Sequence, residues 1–258
     1  MNGNGGDNSI VHHVHSTAQM LEKKGSAELG YGVLDSITQT SFINLVEYIG
    51  TERLTSLPHK GGKWDKVLIR ALYFAEQQYG FEKMMKSFGA EDNAAANLGY
   101  GYCKLLLELG HENAAALDTA FAVLYKHSLE VAALLHRTEL LSTTPEIREE
   151  LCLMYGDLLT LTSAVATRYY KTVHGMSSAK TALDISEVSS NIVDSFRDRQ
   201  SKVAELIWQH QAQIEGYAME QGKPFTMVPY RIPVTEEQGS PRKRSSDGCR
   251  PAILSCTP

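Results

Sequence analysis

The chain has 258 residues, 43% of them hydrophobic and 8% aromatic, which is enough to bury one core of ordinary size or two small ones. A formal charge of −5, from 25 Lys and Arg against 30 Asp and Glu, argues against a surface built to neutralise phosphate, so nucleic-acid binding is not expected. Four Cys, none in a Cys-x-x-Cys pair, exclude a disulfide-stapled mini-domain and a zinc ribbon and fit a reducing compartment.

Residues 1–31 mix Gly, Asn, His and charge without a sustained period and read as a flexible arm, with a short folded piece at most around 11–21. The first eight residues have no basic n-region or apolar h-region, and the longest apolar runs, such as 131–135, fall far below a membrane span. No secretion signal or transmembrane helix is therefore expected, and the expected location is cytoplasmic.

A helical domain is expected over 32–222. Its first helix, 33–48, places Val33, Ile37, Phe42, Leu45 and Val46 near one face and stops at Gly50. The second, 64–88, carries Trp64, Val67, Leu68, Ala71, Leu72, Ala75, Phe81, Met84, Met85 and Phe88, with a kink or break expected at Gly80. In the third, 92–109, Gly110 follows as the stop residue, and Gly99 and Gly101 predict close helix approach.

The fourth begins at Asn113, aligns Leu117, Phe121, Leu124, Ser128, Val131 and Leu135, and ends between Arg137 and Leu141. The fifth has the clearest signals: Thr144 as cap, Pro145 in the first turn, Glu146 beside the helix-dipole terminus, and Gly175 at the far end. Its stripe of Ile147, Leu151, Met154, Leu158, Leu161, Val165 and Tyr169 marks it as the central helix. The sixth starts with Asp184 and Glu187 as a capping box and continues through Ile192, Phe196, Val203 and Ile207 to about Met219. An all-α fold follows, a bundle of about six helices.

From 223 the composition changes. Six of the eight Pro fall in 223–258, as do 6 basic and 3 acidic residues, so this tail carries +3 and residues 1–222 carry −8. A Pro-rich, basic, disordered tail is expected. Within it Arg242, Lys243 and Arg244 lie beside Ser245 and Ser246, a pattern that serves as a nuclear-import address or a phosphorylation-tuned contact as well as a solubilising segment.

Catalytic and cofactor motifs give little. The Gly-Lys pairs at Gly62 and Gly222 are followed by Trp64 and Pro224, with no Gly five residues earlier, so no P-loop and no nucleotide binding is expected. Glu108 and His111 have di-iron spacing, but Gly110 lies between them and no second Glu-x-x-His exists. His12, His13 and His15 have no Cys or carboxylate cluster near them in sequence, and no metal or other cofactor is expected. Ser177 and Lys180 copy an acyl-enzyme spacing without its companion motifs. Cys103 and Cys152 read as core residues, and Cys249 and Cys256 as exposed thiols.

A series of landmarks carries a family resemblance: Leu105-Leu106-Leu107-Glu108-Leu109-Gly110, Ala116-Leu117 with Phe121, and Leu134-Leu135-His136-Arg137-Thr138-Glu139-Leu140-Leu141. It continues with Glu146-Ile147-Arg148-Glu149-Glu150-Leu151, Tyr155, Asp157-Leu158-Leu159-Thr160-Leu161 and Tyr169-Tyr170-Lys171, and upstream with Glu52-Arg53-Leu54-Thr55-Ser56-Leu57-Pro58 and Trp64-Asp65. Over roughly 50–215 the chain resembles the helical, fungal-specific N-terminal domain of NOD-like (STAND) receptors that carry a NACHT module. The resemblance implies a non-catalytic signalling or adaptor role in non-self recognition or regulated cell death, exerted through a protein partner or self-association. Neither the NACHT Walker motif nor a repeat array occurs in this sequence. Some receptor-linked fungal helical domains resemble pore formers, which leaves a membrane-perturbing effector as the alternative. The acidic, charged helices weigh against it, and 113–135 is the segment that would have to enter lipid.

The second and fourth helices spread apolar residues more widely than one face requires. Phe74, Phe81, Met84 and Met85 on the second are accordingly the candidate interaction surface, with Phe121, Ala122, Val123, Leu134 and Leu135 showing the same surplus on the fourth.

Overall fold

The computed structural model describes residues 7–55, 62–89, 93–110, 114–140, 144–176 and 185–220, and every regular element among them is an α-helix. These are α1 (Asp7–Leu29), α2 (Tyr31–Thr38), α3 (Phe42–Thr55), α4 (Lys63–Ser87), α5 (Ala94–Gly110), α6 (Ala114–Leu140), α7 (Pro145–Val173) and α8 (Ile185–Glu220).

α7 organises the rest. Its start is fixed by Thr144, whose Oγ1 accepts from the Ile147 N–H at 3.4 Å, and by Pro145, which has no N–H to leave unpaired. Its end is a complete Schellman motif: Gly175 sits at φ 69°, its N–H donates to the Thr172 carbonyl at 3.0 Å, and Met176 N–H donates to the Lys171 carbonyl at 2.7 Å. Between these ends Ile147, Leu151, Met154, Leu158, Leu161, Val165 and Tyr169 are all buried. So are Tyr155, Leu159, Ser163 and Ala166, which lie off that stripe, because α1, α4, α5, α6 and α8 enclose the helix.

Side-chain pairs give the directions. Phe81 stacks on Tyr155, Met85 meets Cys152 and Arg148 lies over Phe88, so α4 runs antiparallel to α7. Glu150 pairs with Lys202 and Asp157 with Ser195, so α8 is antiparallel to α7 as well. Arg70 with Asp118 and Tyr73 with Tyr125 place α4 and α6 parallel. The described residues hold eight helices where about six were expected from apolar period: α4 to α8 match five of those, and the surplus comes from α1 and from the division of 33–48 between α2 and α3.

Three expectations need correction. Residues 7–29 of the supposed arm are helix α1, whose buried face is Val14, Ala18, Leu21, Gly25 and Leu29. It lies parallel to α7, with Thr17 beside Gly156 and Glu28 3.2 Å from Lys171. Two of those five positions are Ala and Gly, small because the helices come close: a Cβ on Gly25 would fall 2.8 Å from the Tyr102 hydroxyl oxygen. A helix expected as one piece at 33–48 is two, α2 and α3. Thr40 Oγ1 donates to the Ser36 carbonyl at 2.8 Å, and Ser41 and Asn44 cap α3 reciprocally at 3.0 and 3.3 Å, which stabilises a break where the apolar pattern shows none. α3 then passes through Gly50 to Thr55.

The third correction concerns Gly80, where α4 is unbroken. Phe74, Ala75, Gln78, Phe81 and Met85 are buried on either side of it, and that packing outweighs the ~1 kcal/mol that Gly costs in a helix interior. The close approach expected at Gly99 and Gly101 is present. A Cβ on Gly101 would run into the Ile37 carbonyl of α2, and one on Gly99 would fall 3.0 Å from Gln78 Oε1. The tail from 223, and with it Arg242, Lys243, Arg244, Cys249 and Cys256, lies outside the described residues.

Candidate functional site

The side chains expected to form an interaction surface are core. Phe74 and Phe81 are fully buried, Met85 is buried with the Cys152 thiol 3.5 Å from its sulfur, and Met84 is half-buried against the same cluster. α4 packs against α3, α5 and α6, and its Phe81 and Met85 reach Tyr155 and Cys152 of α7, so its surplus apolar surface is taken up by intramolecular contacts. On α6, Phe121 and Leu134 are likewise buried, and Ala122 and Val123 are half-buried.

What α4 and α6 turn outward is different. Tyr73 is 46% exposed and Leu129 39% exposed. The Tyr73 and Tyr125 rings lie 5.8 Å apart at 36°. Arg70 frames one end of this face, its Nη1 donating to the Asp118 carbonyl at 3.0 Å and to the Asp118 carboxylate. Tyr73 is the neighbour of buried Phe74, about 100° away around the helix, so the period places it off the core stripe. No sequence signal pairs it with Tyr125, since that pairing depends on α6 lying parallel beside α4.

Two polar clusters lie within the packing, one between α4 and α5 and one between α7 and α8. Tyr100 donates to Glu82 at 2.7 Å, and Lys86 donates to the other oxygen of the same carboxylate at 2.7 Å. Burial, and then the Glu82 contact, push the Tyr100 phenol far above its ordinary range, and burial does the same to Tyr155. On the opposite side, Glu150 is 7% exposed and holds Lys202 and Arg199, while Arg199 Nε donates to Asp157 at 2.9 Å and Ser195 donates to the same carboxylate at 3.0 Å. This cluster joins α7 to α8.

Burial raises the Cys152 thiol to about 12 and Cys103 further, so neither holds a reactive thiolate at neutral pH. Among the described residues no group of three His, Cys, Asp or Glu is placed to hold a metal ion. His12 and His13 are exposed, His15 Nε2 lies 2.8 Å from Gln19 Nε2, and Glu108 pairs with Lys104. His111, Ser177 and Lys180 lie outside the described residues. Gly62 serves as the N-cap position of α4. No described helix is long and apolar enough to cross a membrane. No family model, curated protein or solved structure matches the chain.

Proposed function

We propose that this chain is a non-catalytic helical interaction module, of the kind implied by its resemblance to the N-terminal domain of fungal NOD-like receptors, and that it works by self-association or by binding a protein partner. The observation that carries the reading is the outward face of α4 and α6, where the Tyr73 and Tyr125 rings meet, the Arg70 and Asp118 pair joins the same two helices, and exposed Leu129 follows Tyr125 by one turn of α6. Tyrosine combines a large apolar area with a polar tip and few rotatable bonds, and Tyr and Arg are enriched at protein interfaces. The buried, unreactive thiols and the high phenol values around α7 are consistent with a scaffold role for those groups. On this reading the contact is made by the residues next to the core stripe, with Phe74, Phe81 and Met85 keeping α4 in place beneath them.

Light scattering of the full chain across concentration tests it. Association is expected to fall away with Tyr73→Glu and with Leu129→Glu, while both variants keep the parent's thermal melting within a few degrees. Phe81→Glu, in contrast, is expected to unfold the protein, since an unpaired charge would be buried against Tyr155. A parent that is monomeric at every concentration, with no association that the two outer substitutions change, would remove this face from the reading.

A further inference from the structure

α5 carries one charged pair, Lys104 and Glu108, at the rim of a recess and partly open to water. Between α2 and α5 lies a half-open recess of about 210 Å3, lined by Val33, Ile37 and Leu105 and by Ser36, Lys104 and Glu108. Its position follows from Gly101, which also lines it and lets the α2 backbone rest directly on α5 at the Ile37 carbonyl. Lys104 Nζ and Glu108 Oε1 are 3.5 Å apart, longer than a strong charge-assisted hydrogen bond, so each group keeps capacity for another partner.

The two charges select a ligand. A simple amine would be drawn to Glu108 but repelled by Lys104, and a simple carboxylate would meet the reverse. A molecule with both charges on one small centre satisfies both groups and leaves its apolar part for Val33, Ile37 and Leu105, which line the same recess. We propose that this recess binds a small aliphatic zwitterion, an α-amino acid of about leucine size, with its carboxylate at Lys104, its ammonium at Glu108 and its side chain against Val33, Ile37 and Leu105. The site is separate from the outward face of α4 and α6 and stands or falls independently of it.

The test is amide NMR of the full chain titrated with leucine, and in parallel with isoamylamine and 4-methylpentanoate, which keep the hydrocarbon and one charge each. Saturable shifts are expected in residues 32–40 and 101–108, with a dissociation constant for leucine of about 1 mM, as suits so few atoms. The two half-charged probes are expected to bind about tenfold more weakly. Glu108→Gln should leave leucine no better than the carboxylate probe, and Lys104→Met no better than the amine. Both side chains are part of a half-exposed i,i+4 pair, so neither substitution should cost the fold. Absence of saturable shifts, equal binding of all three probes, or undiminished leucine binding by the two variants would each overturn the proposal.

Discussion

At the scale of single residues, the interior is governed by how completely each side chain is enclosed. Leu158 is fully buried in the middle of α7, where packing from several helices leaves little room for collapse around a deletion. Leu158→Ala is therefore expected to cost about 2–5 kcal/mol in chemical denaturation, with the slope of the transition unchanged. Met85 and Cys152 show the same enclosure in another form, two sulfur side chains in contact between α4 and α7. A Met on an apolar helix reads equally well as core or as interface. What decides between them is whether another helix lies over it, and for Met85 α7 does.

Helices as units show where sequence reading succeeds and why it stops. α7 is legible because its buried positions are large apolar residues at three- and four-residue spacing and its two ends carry strong stop signals. α1 is not, because Ala18 and Gly25 stand where Leu or Val would announce the period, and their smallness is dictated by how near α7 and Tyr102 lie. The turn between α2 and α3 is written in hydroxyl chemistry, Thr40 and Ser41, beneath an apolar pattern that continues across it. The candidate outer face and the recess at Lys104 and Glu108 were hidden for a related reason: each is made from two helices, and a lone i,i+4 pair reads as a solvated surface.

Two element-scale predictions follow from that packing. Gly101→Ala should push α2 away from its seat on α5, costing about 1–3 kcal/mol, and hydrogen exchange should show 31–38 loosened more than α7. Arg199→Met removes a cation shared by Glu150 and Asp157, leaving Lys202 and Ser195 as their partners. Because Arg199 is partly exposed and Glu150 keeps one cation, the expected loss is about 1–3 kcal/mol, below that for a wholly buried pair, with faster exchange in α8.

The whole molecule should answer to alkali through its tyrosines. Tyr48 is pushed up to about 12 by burial and by Glu52 and Glu108, and Tyr100, Tyr102, Tyr155 and Tyr169 are all raised by burial from an ordinary value of 10.0. In each case the neutral phenol is favoured in the folded state. Their contribution is therefore complete below the unfolded value and is lost as pH rises through the folded ones, since the unfolded chain ionises first. The melting temperature is expected to fall steeply above about pH 10, and the part of the tyrosinate absorbance that belongs to these five should rise together with loss of helix, instead of ahead of it. Early, non-cooperative titration of these five as well would mean that this interior is open to water.

The parallel pairing of α1 with α7 also orders events in time. Helices that follow one another in the chain can pack as they are made, whereas Thr17 must wait for Gly156 and Glu28 for Lys171. During synthesis, then, α1 leaves the ribosome before the other described helices, and its seat against α7 is completed only when α7 has followed. A chaperone that holds apolar helices would have its longest opportunity at α1.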